Sequence, residues 1–183
     1  MKKRLSQFIL FKVMGWKIEG TLDPAIKKCV IIVVPHTSWH DFYIGLFIRS
    51  YLGIEINFVG KKELFQFPFG FYFRWLGGVP LDRTGGLNKV DAIAKVFADR
   101  ETFRLAIAPE GTRKKVTKWK TGFYYISLQA NVPIIPVAFD FSKKQITINK
   151  PYYPIGEIEV DMPILEHYYK GVVGKYPENS FMV

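Results

Sequence analysis

His36 and Asp41, five positions apart in Pro35-His36-Thr37-Ser38-Trp39-His40-Asp41, place an imidazole and a carboxylate where an apolar run over 29–34 gives way to a helix-like run. A base at the mouth of a strand, oriented by a nearby carboxylate, is what deprotonating a weakly acidic hydroxyl requires. In a regular helix, positions five apart point about 140° away from each other. The pair meets only if His36 lies before the helix and folds back toward its first turn, which Pro35 favours. Ser38-x-x-Asp41 is also a capping box, and capping a helix and orienting a base are compatible duties for one turn. His36 and His40 stand i, i+4, as in a helical zinc pair. The glutamate of that motif is absent, so no metal site is expected, and His40 is expected at the rim of the site or facing solvent.

Three more clusters follow. Gly77-Gly78-Val79-Pro80-Leu81-Asp82-Arg83-Thr84-Gly85-Gly86 joins an apolar segment to a helix. Its glycines let backbone approach a ligand, and the Arg83 fork matches phosphate oxygens; the plainer role for Arg83 is a salt bridge to Asp82 or Glu110. Ala108-Pro109-Glu110-Gly111-Thr112-Arg113 follows a strand-like run and supplies a second guanidinium at Arg113, unless it is an ordinary turn. Lys114, Lys115, Lys118 and Lys120 deepen the positive field there. Val132-Pro133-Ile134-Ile135-Pro136-Val137 carries no chemistry and reads as a buried strand walling a pocket.

The elements that must position these clusters alternate along the chain. Strands are expected over 16–18, 29–34, 55–59, 104–108, 133–141 and 145–149. Helices are expected from Ser38 to about Tyr51, over 61–67, around 90–98 and over 122–130. Beyond Ile155, Pro163 is expected to interrupt any long helix, leaving at most a short one after it. The pattern predicts an α/β fold: one layered domain over 1–183, a mixed β-sheet flanked by helices, its site outside the strands' carboxyl ends. Residues 1–14 hold Leu5, Phe8, Ile9 and Val13 at helical spacing among basic residues. They predict a short amphipathic helix lying in a bilayer surface, or else packed on the core.

Composition narrows the partners. The formal net charge is +10 and aromatic residues make up 16% of the 183 positions. The charge attracts an anion, whether nucleic acid, a lipid headgroup layer or an acidic carrier protein. Aromatic rings beside basic residues favour a membrane with anionic lipids. Phe65, Phe67, Phe69, Phe71, Tyr72, Phe73 and Trp75 crowd one segment in which only Arg74 is charged between 64 and 75, so part of it is expected to face lipid or line an acyl pocket if it is not core. Nucleic-acid binding is set aside, because no recognition-helix, zinc or RNA-binding signature accompanies the basic charge. No run of about 18 apolar residues exists, so no membrane-spanning helix is expected. Met1-Lys2-Lys3-Arg4 superficially looks like a signal peptide, but Lys12 and Lys17 interrupt the apolar part and no small-residue cleavage site follows. The single Cys29 excludes an internal disulfide and suits a reducing compartment, as a buried inert thiol.

In order, His36-x-x-x-x-Asp41, Gly78 to Arg83, Pro109-Glu110-Gly111-Thr112-Arg113 and Val132 to Val137 resemble the four motif blocks of the glycerolipid acyltransferase family. Lys120-Thr121-Gly122 resembles the Lys-x-Gly stretch that follows the third block, whereas Pro35 stands where the family often has Asn. The resemblance implies that His36 is the general base and Asp41 its orienting partner. It implies that Arg83, Glu110, Gly111, Thr112 and Arg113 bind the phosphate-bearing acceptor. It implies direct transfer of a fatty acyl group from acyl-CoA or an acyl-carrier-protein thioester to a lysophospholipid hydroxyl, lysophosphatidate being the expected acceptor, with no cofactor and no acyl-enzyme. Peripheral attachment to the cytoplasmic face of a membrane is the expected location. A non-catalytic peripheral lipid-binding protein is the alternative reading.

Overall fold

The computed structural model describes residues 3–81 and 88–181. A five-stranded mixed sheet of order β1-β7-β6-β2-β5 forms its centre. Strands β1 (Lys17–Glu19), β2 (Lys28–Val34), β5 (Phe103–Ile107), β6 (Ile134–Asp140) and β7 (Gln145–Ile148) build it. Every neighbouring pair is parallel except β6 with β7. Strands covered on both faces read as continuous apolar runs, and β2 and β6 do so.

The two-residue alternation of β2 divides the core. Val30, Ile32 and Val34 pack with Phe97, Phe123, Tyr124 and Leu165 from α4 (Lys89–Asp99), α5 (Gly122–Ala130) and α6 (Ile158–His167). Cys29 and Ile31 pack on the other face with Leu10 and with Ile44 and Ile48 of α2 (His40–Leu52). Each of these large side chains contributes about 1.5–3 kcal/mol through burial. The sheet is thus the middle of three layers.

The chain begins with α1 (Lys3–Gln7), continued by a π-helical stretch, Phe8–Val13. This helix packs on α2 through Leu10, Ser6 against Ser50 (2.7 Å) and Phe11 edge-on to Tyr51, while Leu5, Phe8 and Val13 stay exposed. Among the described residues no helix is long and apolar enough to cross a membrane.

Between α2 and α4 the chain makes an excursion: β3 (Phe58–Lys61), a 3-10 turn (Lys62–Phe65), α3 (Gly70–Trp75) and β4 (Gly78–Leu81), with β3 and β4 parallel. Buried Asn57 stitches it to the main sheet. Its N–H donates to the Arg104 carbonyl (2.7 Å) and its carbonyl accepts from Ala106 N–H (2.8 Å). Because Asn57 bridges to β5, pairing with β4 begins only at Phe58, so the strand expected over 55–59 is displaced.

One expectation fails outright. Pro163 lies inside α6 rather than interrupting it. The helix is pinned just before the proline by buried Asp161, whose carboxylate accepts from Tyr124 Oη (2.6 Å), Tyr152 Oη and Ile155 N–H (3.0 Å). Just after it, fully buried Leu165 completes the anchoring, so tertiary contacts offset the missing backbone bond.

Candidate active site

Strands β2 and β5 run parallel, so both leave the sheet at the same edge, where β2 delivers Pro35-His36-Thr37-Ser38 and β5 delivers Ala108 to Arg113. His36 stands before α2 and turns back over its first residues. Its Nδ1 lies 3.0 Å from Asp41 Oδ2. The same oxygen accepts the Ser38 backbone N–H at 3.0 Å. Asp41 therefore makes the carboxylate half of the capping box, while Ser38 Oγ accepts the His40 N–H instead, and it orients the ring at once; the N-terminal end of the α2 dipole favours its charge. With Nδ1–H donated to the carboxylate, Nε2 keeps the lone pair a base needs. The imidazole side chain is 25% exposed and the Asp41 side chain 3%, so the base can meet a substrate while its partner stays dry.

The third cluster reaches the first through Glu110. Its Oε2 accepts the His36 backbone N–H at 2.6 Å, and Oε1 is buried with no hydrogen-bond partner among the described residues. Burial pushes the Glu110 carboxyl up from 4.5 to about 7, opposed by the hydrogen bond from the His36 backbone. The carboxylate lies beneath the His36 turn, while Gly111 and Arg113 beyond it are exposed and Thr112 is half-buried. Gly111 adopts φ +65°, and a Cβ there would come within 2.8 Å of Lys120 Nζ, so the Lys120 ammonium lies against this loop. The Lys120 N–H in turn donates to the Pro109 carbonyl at 2.9 Å. Arg83, the other expected anion-binding residue, lies outside the described residues.

His40 is half-buried and lines a different pocket, with Trp16 and Phe141, rather than the cavity beside His36. It stacks on Trp39, and its Nδ1 is 2.8 Å from Ser38 Oγ. Neither Ser38 nor Cys29 is placed as a nucleophile: the serine hydroxyl is buried against His40, and burial raises the Cys29 thiol to about 12.

An apolar cavity of about 240 Å³ opens beside the His36–Asp41 pair and runs between α2 and the sheet. Phe42, Gly45 and Ile48 of α2 line one side, and Ile31, Val137 and Ile148 of the sheet line the other. Ile135 and Val137, from the fourth sequence cluster, wall it as a buried strand should.

Two supports have no local sequence signal. The Tyr169 hydroxyl donates to the Ile32 carbonyl (2.9 Å) and accepts the Val137 N–H (3.1 Å), joining β2 to β6 close to the His36 turn. In this parallel register the Ile32 carbonyl faces the Val137 N–H, one residue past its Pro136 partner, and the hydroxyl sits between the two groups and satisfies both. Thr37 Oγ1 accepts the Tyr176 N–H at 3.2 Å, and a Cβ on Gly174 would come within 2.7 Å of that oxygen, so the C-terminal loop closes directly on the turn.

Comparison with known proteins converges on one family. The 1-acyl-sn-glycerol-3-phosphate acyltransferase of Escherichia coli is 33% identical over 112 residues, covering 58% of this chain and 46% of the relative. Its namesake from Haemophilus influenzae is 30% identical over 156 residues, covering 77% of this chain and 61% of the relative. The chain thus spans about half to three fifths of the length of these relatives. The crystal structure of the 1-acyl-sn-glycerophosphate (LPA) acyltransferase PlsC from Thermotoga maritima matches with a TM-score of 0.58 at 18% identity, over 91% of this chain and 74% of that one, a likeness of fold. The Acyltransferase family model matches residues 17–140, from β1 through the His36–Asp41 turn and the Glu110 loop to the end of β6, and the chain belongs to that family.

Proposed function

We propose that this acyltransferase moves a fatty acyl group from a coenzyme A or acyl-carrier-protein thioester to the free hydroxyl of a lysophospholipid, lysophosphatidate, at a membrane surface. The observation that carries the reading is the His36–Asp41 pair, 3.0 Å apart, opening onto an apolar cavity. Such a pair activates an alcohol, and such a cavity accepts a hydrocarbon chain. The Gly111–Thr112–Arg113 loop follows Glu110, which holds the His36 backbone N–H, and its guanidinium is assigned the phosphate. Arg83 is assigned the same duty from its motif.

In this reading the acceptor hydroxyl gives its proton to His36 Nε2 as its oxygen attacks the thioester carbonyl carbon. Asp41 stabilises the imidazolium that results. The tetrahedral intermediate collapses with cleavage of the C–S bond, and the imidazolium returns the proton to the leaving thiolate. An ester and a free thiol are the products, and no acyl-enzyme forms.

His36→Ala is the test, with lysophosphatidate as acceptor and both thioester classes as donors. Turnover is expected to fall by about 10²–10⁴-fold with vesicle binding unchanged. Wild-type protein that is folded, binds lipid and transfers no acyl group from either donor would favour a lipid-binding role instead.

A further inference from the structure

The excursion between β3 and β4 turns its largest apolar side chains outward. Phe67 is 98% exposed, Phe71 76% and Trp75 65%, with Phe69 and Tyr72 beside them also exposed. Soluble monomers rarely display a contiguous apolar patch of this kind without a partner. Nor is it a loose tail. Buried Phe65 anchors the turn and meets Phe73 with ring centroids 6.2 Å apart. A Cβ on Gly70 would fall 2.0 Å from the Phe65 carbonyl oxygen, so the chain closes tightly at the start of α3. The fold thus fixes these rings outward.

The surroundings identify the occupant. Lys61, Lys62 and Arg74 flank the rings, with Glu63 the only acid between residues 61 and 75. Amphipathic rings set among cations suit the headgroup level of an anionic bilayer. The patch also adjoins the cavity: Leu76, which follows Trp75, lines it, as do Phe42 and Phe58, whose rings meet at 5.9 Å. From Phe42 the aromatic surface continues through Tyr43 to exposed Trp39. We infer that the 62–75 excursion is a membrane-docking surface whose rings enter an anionic lipid bilayer and set the rim of the cavity against it. This rests on the reading of the cavity as an acyl-chain site and adds the face through which the chain arrives.

The test joins Phe67→Ser, Phe71→Ser and Trp75→Ser in one variant. None of the three lines the cavity. Co-sedimentation with phosphatidylcholine vesicles containing phosphatidylglycerol should show at least about a tenfold loss of partitioning. Turnover of water-soluble short-chain acyl donor and acceptor should stay at the wild-type level, which also shows that the variant folds. In a Trp39→Phe background Trp75 is the sole exposed tryptophan, Trp16 and Trp119 being buried, so brominated lipid should quench its emission. Wild-type partitioning by the triple variant, or unquenched Trp75 on bound vesicles, would overturn the assignment. A wild-type dimer made monomeric by the triple substitution with vesicle binding intact would assign the patch to a second copy and overturn it equally. Loss of vesicle binding beside a wild type that transfers no acyl group would remove the catalytic reading alone.

Discussion

Glu110 Oε2 holds the backbone N–H of His36 at 2.6 Å across 74 positions of sequence. The carboxyl thus supports the main chain that carries the base. A buried carboxylate with one oxygen unpaired is costly, and that cost is what lifts its pKa to about 7.

The cost should appear in the pH dependence of stability. Below pH 4.5 Glu110 is protonated in both states and contributes nothing. Between 4.5 and about 7 the unfolded chain releases a proton that the folded chain retains, so stability falls as pH rises. Above 7 the penalty levels off at about 3 kcal/mol, by 1.36 kcal/mol per unit. Glu110→Gln keeps a carbonyl for the His36 amide and removes the titration. Urea midpoints at pH 5 and pH 8 should therefore differ by less in the variant, with the gap between the two proteins widening over this window. Equal pH slopes would show that Glu110 does not titrate there.

The ordering of strands and helices was legible because it is written in short-range patterns: the apolar run of β2, the 3.6-residue spacing in α4, the extent of α5. The His36–Asp41 contact was legible because a capping box limits where a first-turn carboxylate can point. What could not be read there depends on distant partners. Tyr169 meets Ile32 across 137 positions, and nothing local distinguishes it from neighbouring Tyr168. The burial of Glu110 was equally hidden, since Pro-Glu-Gly-Thr-Arg has the composition of an exposed turn. Aromatic density over 64–75 was plain, but composition carries no direction, and only the fold separates inward Phe65 from outward Phe67. Pro163 misled because a local helix rule was overridden by the Asp161 anchors.

Asp41 serves both the cap and the base, and two substitutions separate these duties. Asp41→Asn retains a carbonyl for the Ser38 N–H but carries no charge to stabilise the imidazolium. Its kcat should fall by at least about 10²-fold, with KM for the acceptor little changed. Asp41→Ala should lose comparable activity and a further ~1 kcal/mol of stability, because the cap goes as well. Steady-state kinetics beside thermal unfolding would decide it, and an Asp41→Asn enzyme with wild-type kcat would remove the carboxylate from the mechanism.

Tyr169→Phe tests the support beneath the turn. The ring remains, but the Ile32 carbonyl and Val137 N–H both lose their buried partner. Leaving two such groups unsatisfied costs about 2–6 kcal/mol. Chemical denaturation should show a loss of that size, and a change below about 0.5 kcal/mol would mean that β2 and β6 close up without the hydroxyl.

Gly45 offers a direct probe of what the cavity holds. It lies in the middle of α2, lines the cavity, and an added Cβ would meet nothing within 4 Å. A larger side chain there starts from an unobstructed Cβ on a residue that lines the space between helix and sheet. Gly45→Leu should stabilise α2 by up to about 0.8 kcal/mol, since glycine is a poor helix former. The same side chain narrows the cavity one turn, about 6 Å, along α2 from Asp41 and removes room for a hydrocarbon chain that reaches past that point. Each methylene excluded from an apolar pocket weakens transition-state binding by about 1–3 kcal/mol, so kcat/KM for long-chain substrates should drop at least about tenfold. Short-chain substrates should be processed at the wild-type rate. Assaying donors and acceptors of graded length separately would show which of the two places its chain in the cavity. A variant slowed equally at every length would show that neither does.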